Sequence, residues 1–359
     1  MDIDKHRISI NRIDEEIVKL INERTSHAVA IGKIKRELNR VIYDPKREAE
    51  ILERIETLAK GKPFPSRVLR MIYREIMSAS REIEEPISVA YFGPEGSFTH
   101  TAAIEQFGSS TEFAALKTIG DVFKEVEVDK YDYGVVPIEN SNEGAVNYTL
   151  DMFITSTLKI CSEHFMNIHH CLLSQCTDVS EIKKIYSHPQ SFGQCRMWIM
   201  NNLPHAELIE SSSNSEAAKV VGWDKFSAAI AGVVNAELYK LNVLAENIED
   251  NPENFTRFLT IGKDDNEPSK KDKTSLIVAI KDKPGALQTV LAIFSDRNIN
   301  MNKIESRPTK KKAWEYLFYI DIDGHRKDKH ITEALAALDQ ETTFLKVLGS
   351  YPKIRIFRQ

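Results

Sequence analysis

Apolar residues recur at helical spacing through residues 4–40, with Ile10, Ile17, Ile21, Ala28 and Ile31 on one face, no Pro and a single Gly. Continued in steps of three and four, that stripe passes through positions 7, 10, 14, 17, 21, 24, 28, 31 and 35. Arg7, Asp14, Arg24 and Lys35 then stand where Ile or Leu would be expected. The pattern predicts a helix of about 37 residues, too long to bury its stripe inside a small monomeric domain, and so an intertwined oligomer. In DPKREAEILERI, Asp44 reads as the cap of a second helix and Pro45 as its first residue, with Arg47 and Glu48 one turn in.

Beyond Pro86 the period changes. ISVAYFG reads as a buried strand, GPEGSFTHTAAIEQF as a Gly-rich turn and helix, and YDYGVVPIENSNEGAVNYTLDMF as strand, polar loop and helix. IKKIYSHPQSFGQCRMWI repeats the theme, NIHHCLLS reads as a strand that starts polar and becomes buried, and SAAIAGVVNAELYKL reads as a small-residue helix. Strands alternating with helices predict a parallel or mixed sheet, with ligands received at loops beyond the strand ends. In NFTRFLTIG, Thr256 and Arg257 lie between Phe255 and Phe258 just before an apolar run, either as a sheet edge or as the working end of a site. GKDDNEPSKKDKTS is a charged linker containing Pro268. After it the pattern β-α-β-β-α-β predicts a ferredoxin-like module.

Charge supports three modules. Basic against acidic residues number 18 to 16 over 1–85, 12 to 25 over 86–265 and 18 to 12 over 266–359. The basic segments lack the aromatic interleaving or helix-turn-helix pattern of a nucleic-acid binder. No apolar run approaches the ~20 residues of a membrane span, and the charged stretch MDIDKHRISINRID has no signal-peptide core, so a cytoplasmic location is expected. Cys161, Cys171, Cys176 and Cys195, with His164, His169 and His170, fit no usual metal-ligand spacing and read as reduced structural thiols. GPEGSFTHTA is not GxGxxG, so neither a metal nor a dinucleotide cofactor is expected.

Cations on a buried stripe either snorkel at its rim or demand a compensating anion, which a small polycarboxylate would supply. At 1.5 Å rise, Arg24 and Lys35 are ~16 Å apart and can converge on one small ligand, whereas Arg7 is ~25 Å from Arg24 and must come from a second chain to join it.

These residues resemble the all-helical chorismate mutase family over nearly all of residues 1–85. Arg7, Arg24, Lys35, Asp44, Arg47, Glu48 and Ser80 fall on that family's functional positions, and Glu84 stands where several members have Gln. The resemblance implies that Arg7 and Arg24 hold the carboxylates of chorismate, Lys35 and Glu84 meet its ether oxygen, and Glu48 takes its hydroxyl. A pericyclic rearrangement needs no nucleophile, only a held conformer and stabilised charge.

Residues 87–263 resemble prephenate dehydratase through GPEGSFT, VVPIENSNEGAV, SHPQSFGQC, SSSNSEAA and NFTRF. The implied fold is two α/β lobes around a cleft, similar to periplasmic binding proteins. By that resemblance Thr256 carries catalysis, and Glu139, Asn140, Ser187 and Gln194 matter for activity or cleft architecture. Asn214 stands where Thr is frequent. We expect Thr256 to donate a proton to the leaving oxygen, Phe258 and Phe255 to exclude water, and Arg257 to anchor a carboxylate or maintain the site's electrostatics.

Residues 274–359 resemble the phenylalanine-sensing ACT domain through KDKPGALQTVLAIF and INMNKIESRP. Gly285, Ala286 and Leu287, with Glu305, Ser306, Arg307 and Pro308, match its two ligand motifs, while Gln288 and Asn302 depart from the usual Val and Thr. The whole reading is a bifunctional, multidomain enzyme: an all-α intertwined mutase, an α/β two-lobed dehydratase and an α+β ferredoxin-like ACT domain. Its expected small-molecule partners are chorismate, prephenate and inhibitory L-phenylalanine, and its expected assembly is a homodimer or tetramer. The rivals are a dehydratase with a weak or inactive mutase and an amino-acid-responsive binding protein with inactive enzyme modules.

Overall fold

The computed structural model describes residues 3–38, 43–269, 271–281, 283–308 and 316–354. Contacts divide the chain into two compact units, one built from the residues up to Ser88 with Phe107–Glu112, the other from Val89–Gln106 and Phe113 onward.

The first unit is helical. Helix α1 (Ile3–Glu37) is continuous over 35 residues; α3 (Ser66–Glu84) packs with its C-terminal half, and α2 (Pro45–Ala59) packs on α3. Asp44 caps α2 as expected, accepting the Arg47 N–H at 2.9 Å. Up to residue 20, every described residue of α1 is exposed, including Ile3, Ile10, Ile13, Ile17 and Leu20. A single copy therefore leaves the apolar stripe without cover.

The second unit carries three sheets. Its elements in chain order are β1 (Ser88–Phe92), α4 (Phe98–Phe107), β2 (Glu112–Leu116), α5 (Ile119–Glu127), β3 (Tyr133–Asn140), β4 (Gly144–Ala145), α6 (Asn147–Thr155) and β5 (Lys159–Asn167). There follow β6 (Cys171–Ser174), β7 (Lys184–Ser187), α7 (Pro189–Gln194), α8 (Arg196–Asn202), β8 (Glu207–Glu210), α9 (Asn214–Val221), β9 (Ser227–Ala231), α10 (Val234–Tyr239), β10 (Asn242–Ala245) and β11 (Phe255–Gly262). The last part is β12 (Asp272–Ile280), α11 (Ala286–Ser295), β13 (Met301–Pro308), β14 (Tyr316–Asp323), α12 (Lys329–Glu341) and β15 (Thr342–Pro352).

One lobe is the mixed sheet β2-β1-β3-β11-β5, with β4 on β3; the other is the mixed sheet β10-β6-β9-β7-β8. The chain crosses between lobes twice, after β5 and before β11, and the two crossings bond to each other. The Ile168 N–H donates to Asn254 O at 2.7 Å and the Ile248 N–H to His170 O at 3.0 Å. NIHHCLLS is thus not one strand: residues 168–170 form the crossing, and the strand begins at Cys171.

The structure also corrects the small-residue helix. SAAIA is the fully buried strand β9, flanked by β6 and β7, and only Val234–Tyr239 is helical. Ala favours helix by a few tenths of a kcal/mol per residue, whereas a central strand must have small side chains where both faces are covered. Tertiary burial decides.

The C-terminal module has the expected β-α-β-β-α-β order and the antiparallel sheet β13-β14-β12-β15. Leu276, Val278, Ile320 and Ile322 face its helices, while Ile277, Ala279, Leu317, Tyr319 and Tyr351 join the core of the first lobe with Leu259 and Ile261. Gly349 permits this docking, since a Cβ there would run into the backbone of Ile160. Among the described residues no helix is long and apolar enough to cross a membrane.

Candidate active sites

In the helical unit, the end of α1 meets α3 around Arg24, Ser80, Lys35 and Glu84. Arg24 Nη1 donates to Ser80 Oγ at 3.2 Å, and Ser80 donates to Ile76 O at 2.7 Å. Glu84 lies over Gly32, whose missing side chain makes room for it: a Cβ there would be 3.1 Å from the Glu84 carboxylate. Burial pushes the Glu84 carboxyl up from its ordinary pKa, and the nearby Lys35, Arg81, Arg24 and Arg36 only partly oppose this. Arg7, by contrast, is exposed near the start of α1, and its recorded ion pair is with Asp4 at 3.4 Å. Arg47 pairs with Glu50 at the surface, at 3.3 Å.

Arg81, which the sequence did not single out, is the principal partner of Glu48. It is buried on α3, bonds to the Glu48 carboxylate and the Phe107 carbonyl, and has its guanidinium carbon 5.4 Å from the centre of the Tyr43 ring. Burial raises the Glu48 pKa, and Arg81 and Arg74 counter it. Removing one partner of a buried pair leaves the other charge uncompensated, so Arg81→Met should lower the stability of the helical unit by about 3 kcal/mol, read by urea unfolding. An unchanged midpoint would show that solvent reaches Glu48.

In the second unit a cleft of about 1040 Å³ is lined from both lobes and both crossings. Thr256, the second residue of β11, lies on its wall. The Asn140 side-chain amide donates to Thr256 Oγ1 at 2.9 Å and to Asn254 Oδ1 at 2.8 Å. Asn140 Oδ1 accepts the Asn142 and Glu143 N–H groups at 2.9 and 3.1 Å, so the amide cannot turn without losing all four bonds. Asn254 donates in turn to Gln194 Oε1 at 3.2 Å, which also accepts from His170 Nε2 at 2.8 Å. Burial depresses the His170 pKa and leaves its Nδ1 without a partner, as in a neutral ring protonated at Nε2. Because Thr256 Oγ1 accepts from Asn140, its own proton is free to point into the cleft. Asn254 and His170 were missed as site residues. Their signal was their place at the lobe crossings, which the sequence pattern did not reveal.

Three expected members do not share this wall. Side chains alternate along a strand, so Arg257 and its cross-strand partner Glu139 point to the opposite face from Thr256 and Asn140. Arg257 is bonded there to Glu163, Asp321 and Tyr351, and Glu139 to Lys303 at 2.8 Å. Ser187 is fully buried behind the cleft, 2.9 Å from Ile230 O and 3.1 Å from Asn214 Oδ1. Asn214 Oδ1 also accepts from the His188 N–H at 3.1 Å and from Ser191 Oγ at 3.0 Å, so it organises the start of α7. Phe258 and Gln194 line the cleft; Phe255 lines the opposite face.

His164 and His169 pair with Glu105 and Glu249 at 2.8 and 2.6 Å. The four cysteines are buried and unpaired, with burial raising the thiol pKa of Cys161, Cys171 and Cys195.

In the C-terminal module the strand register places Gly285–Leu287 and Glu305–Pro308 at the same end of the sheet, since Ala279 and Arg307 both pair with Leu317. Gly285 has φ +80° at the start of α11, a conformation costly for other residues. Arg307 is buried against α6, where it pairs with Asp151 at 3.0 Å.

The fold and its cleft define the class: a two-lobed α/β enzyme domain docked to a ferredoxin-like module and preceded by a helical unit with its own cationic cluster. Family models match in the same order: chorismate mutase type II over residues 6–85, prephenate dehydratase over 89–266 and the ACT domain over 274–340. The bifunctional chorismate mutase/prephenate dehydratase of Aquifex aeolicus is 49% identical over 350 residues, covering 97% of both chains, and that of Neisseria gonorrhoeae is 45% identical over 97% of this chain and 96% of its own. The crystal structure of prephenate dehydratase from Arthrobacter aurescens in complex with L-Phe aligns with TM-score 0.69 at 35% identity, over 74% of this chain and 90% of that one. The chain belongs to the bifunctional chorismate mutase/prephenate dehydratase family.

Proposed function

We propose that the Arg24–Ser80–Lys35–Glu84 cluster binds chorismate and that the Thr256 wall of the cleft performs the dehydration. In the first site, Arg24 and an Arg7 from a second copy hold the carboxylates, Lys35 and protonated Glu84 donate to the breaking ether oxygen, and Glu48 takes the hydroxyl. Asp44 and Arg47 shape the start of α2. The uncovered apolar stripe of α1 supports a homodimer, because a second copy supplies both its cover and the missing Arg7.

In the second site, the bond from the ring to its carboxylate breaks and its electron pair enters the ring. The ring C–O bond breaks in concert, the departing hydroxide takes the Thr256 proton, and the products are water, CO₂ and phenylpyruvate. Solvent restores the proton. The observation that carries this reading is the Asn140 bond to Thr256 Oγ1, which polarises the hydroxyl and orients its hydrogen toward the cleft. Phe258 keeps that wall dry. The first turns of α4 and α9, whose N–H groups are free of intrahelical partners, line the cleft and suit carboxylates, as does Lys117.

L-Phenylalanine, the end product beyond phenylpyruvate, is the proposed inhibitor, received by the first turn of α11 at Gly285–Leu287 and the end of β13. A cytoplasmic site of action fits the unpaired cysteines. The test supplies chorismate and follows prephenate and phenylpyruvate across pH, with and without L-phenylalanine. Accumulation of neither product removes the proposed sites, and a rate indifferent to phenylalanine removes the effector.

Glu84 gives the mutase a pH signature. A carboxyl donates only when protonated, and burial carries that proton to higher pH than an ordinary Glu would. Mutase kcat/KM should be full below the Glu84 pKa and fall as pH rises through it, while Glu84→Gln should flatten the profile. A mutant profile that still falls as in the parent removes Glu84 from the ether oxygen.

A further inference from the structure

Thr256 and Arg257 are neighbours in sequence that face opposite sides of one sheet, and so are their strand partners Asn140 and Glu139. The front of this rung is the catalytic wall. Its back is a network of buried charges, extended by Glu139, 4.0 Å from Arg257 Nη1, to Lys303. Arg257 Nε donates to Glu163 at 2.9 Å, Nη1 to Asp321 at 2.7 Å and Nη2 to the Tyr351 hydroxyl at 2.9 Å. Lys273 completes the neutral set, reaching Glu163 at 2.7 Å, and Ser275 bridges Asp321 and Tyr351, at 2.6 Å from each. Asp321, Lys273, Ser275 and Tyr351 all belong to the ACT sheet. Arg257 and Glu163 belong to the dehydratase sheet.

Stability alone does not explain this cluster. Four buried charges are costly to desolvate, and apolar residues of similar volume hold a fold at least as well. What such a network supplies is a fixed geometry. The β11–β3 register slips between Arg257 and Phe258, where β3 carries the extra residue Ile138, while β11 keeps unbroken register with β5 from Phe255 to Thr260. The bulge disrupts the ladder on the β3 side, the side that carries Asn140, and there the three bonds of the Arg257 guanidinium hold β11 from behind.

We propose that Arg257 is a positioning residue of the dehydratase: held by Asp321 and Tyr351 of the ACT sheet, it fixes the bulged rung so that the Thr256 hydroxyl meets the leaving oxygen. The ACT sheet is then part of the dehydratase's working geometry even with no effector bound. This inference rests on Thr256 as the proton donor.

The test uses the full-length chain carrying Arg257→Met, Arg257→Lys, Asp321→Asn, Tyr351→Phe or the Arg257→Met/Asp321→Asn pair. Dehydratase kcat and KM for prephenate are measured beside mutase activity in the same preparations. A displacement near 1 Å costs about 100-fold in rate, so kcat should fall by about 10- to 100-fold in Arg257→Met and Asp321→Asn, with KM within about twofold. Mutase activity should be unchanged, Arg257→Lys should recover part of the loss, and the double variant should be no slower than the worse single one, as for residues acting as a unit.

A raised KM at unchanged kcat would make Arg257 a substrate-binding group and overturn the proposal, as would unchanged kinetics. If Arg257→Met fails to fold, the near-isosteric Asp321→Asn and Tyr351→Phe decide alone, and parental kcat in both overturns it. Wild-type turnover in Thr256→Val would instead remove the donor reading, leaving a kcat loss in the Arg257 variants to identify whichever group the rung positions.

Discussion

Thr256→Val should keep the fold and the mutase activity of the chain while dehydratase kcat falls by about 10²- to 10⁴-fold, the range of a lost general acid. Valine matches threonine in shape and suits a strand, and the position is buried, so the substitution removes little besides the hydroxyl. It also leaves one Asn140 amide hydrogen without its acceptor, a stability cost of about 1 kcal/mol that unfolding would detect and that does not itself stop turnover. Prephenate gains an aromatic ring on losing CO₂ and hydroxide, so the enzyme need only supply a proton at the right place. A weak acid suffices if it is polarised and shielded. In the proposed site the bond from Asn140 serves the first and Phe258, which lines the same wall, the second. A loss smaller than about tenfold would assign the proton to another group in the cleft.

The sequence made local decisions legible and non-local ones less so. The Asp44 cap, the uninterrupted α1 and the β-α-β-β-α-β order each follow from patterns within about fifteen residues, and they appear as expected. SAAIA was misjudged because its strand character comes from β6 and β7, which lie elsewhere in the chain. Arg257 and Glu139 read as part of the dehydratase site, for activity, cleft architecture or electrostatics, and the alternation of a strand decides which face each takes: opposite to Thr256 and Asn140. The role of Arg81 was not readable, since nothing local says that a charge in REIMSASREIEE reaches Glu48 on another helix. Asn254 and His170 were hidden for a related reason: they matter because two chain crossings meet, and crossings have no sequence period.

Mixing two inactive variants should restore mutase activity. In one copy Arg7 lies ~25 Å along α1 from Arg24, and its recorded ion pair is with Asp4, so it cannot serve the cluster formed by its own Arg24. A site that needs both must draw Arg7 from a second chain. Arg7→Ala and Arg24→Ala homodimers then contain no complete site, and each should lose about 10²-fold or more in kcat/KM, since a charge-assisted contact held in the transition state is missing. A heterodimer of the two variants contains one site missing both arginines and one site missing neither. With random exchange of subunits half the dimers are mixed, so unfolding and refolding the variants together should return about a quarter of the parental mutase activity. Neither variant touches the dehydratase cleft, whose rate reports how much chain refolded. If each site were built within one chain, every site in the mixture would still lack one arginine, and the activity would stay at the level of the separate variants. Recovery therefore tests the shared site and the cover of the exposed α1 stripe in a single measurement, because the second copy proposed to bring Arg7 is also the proposed cover for Ile10, Ile13 and Ile17, which are exposed in one copy.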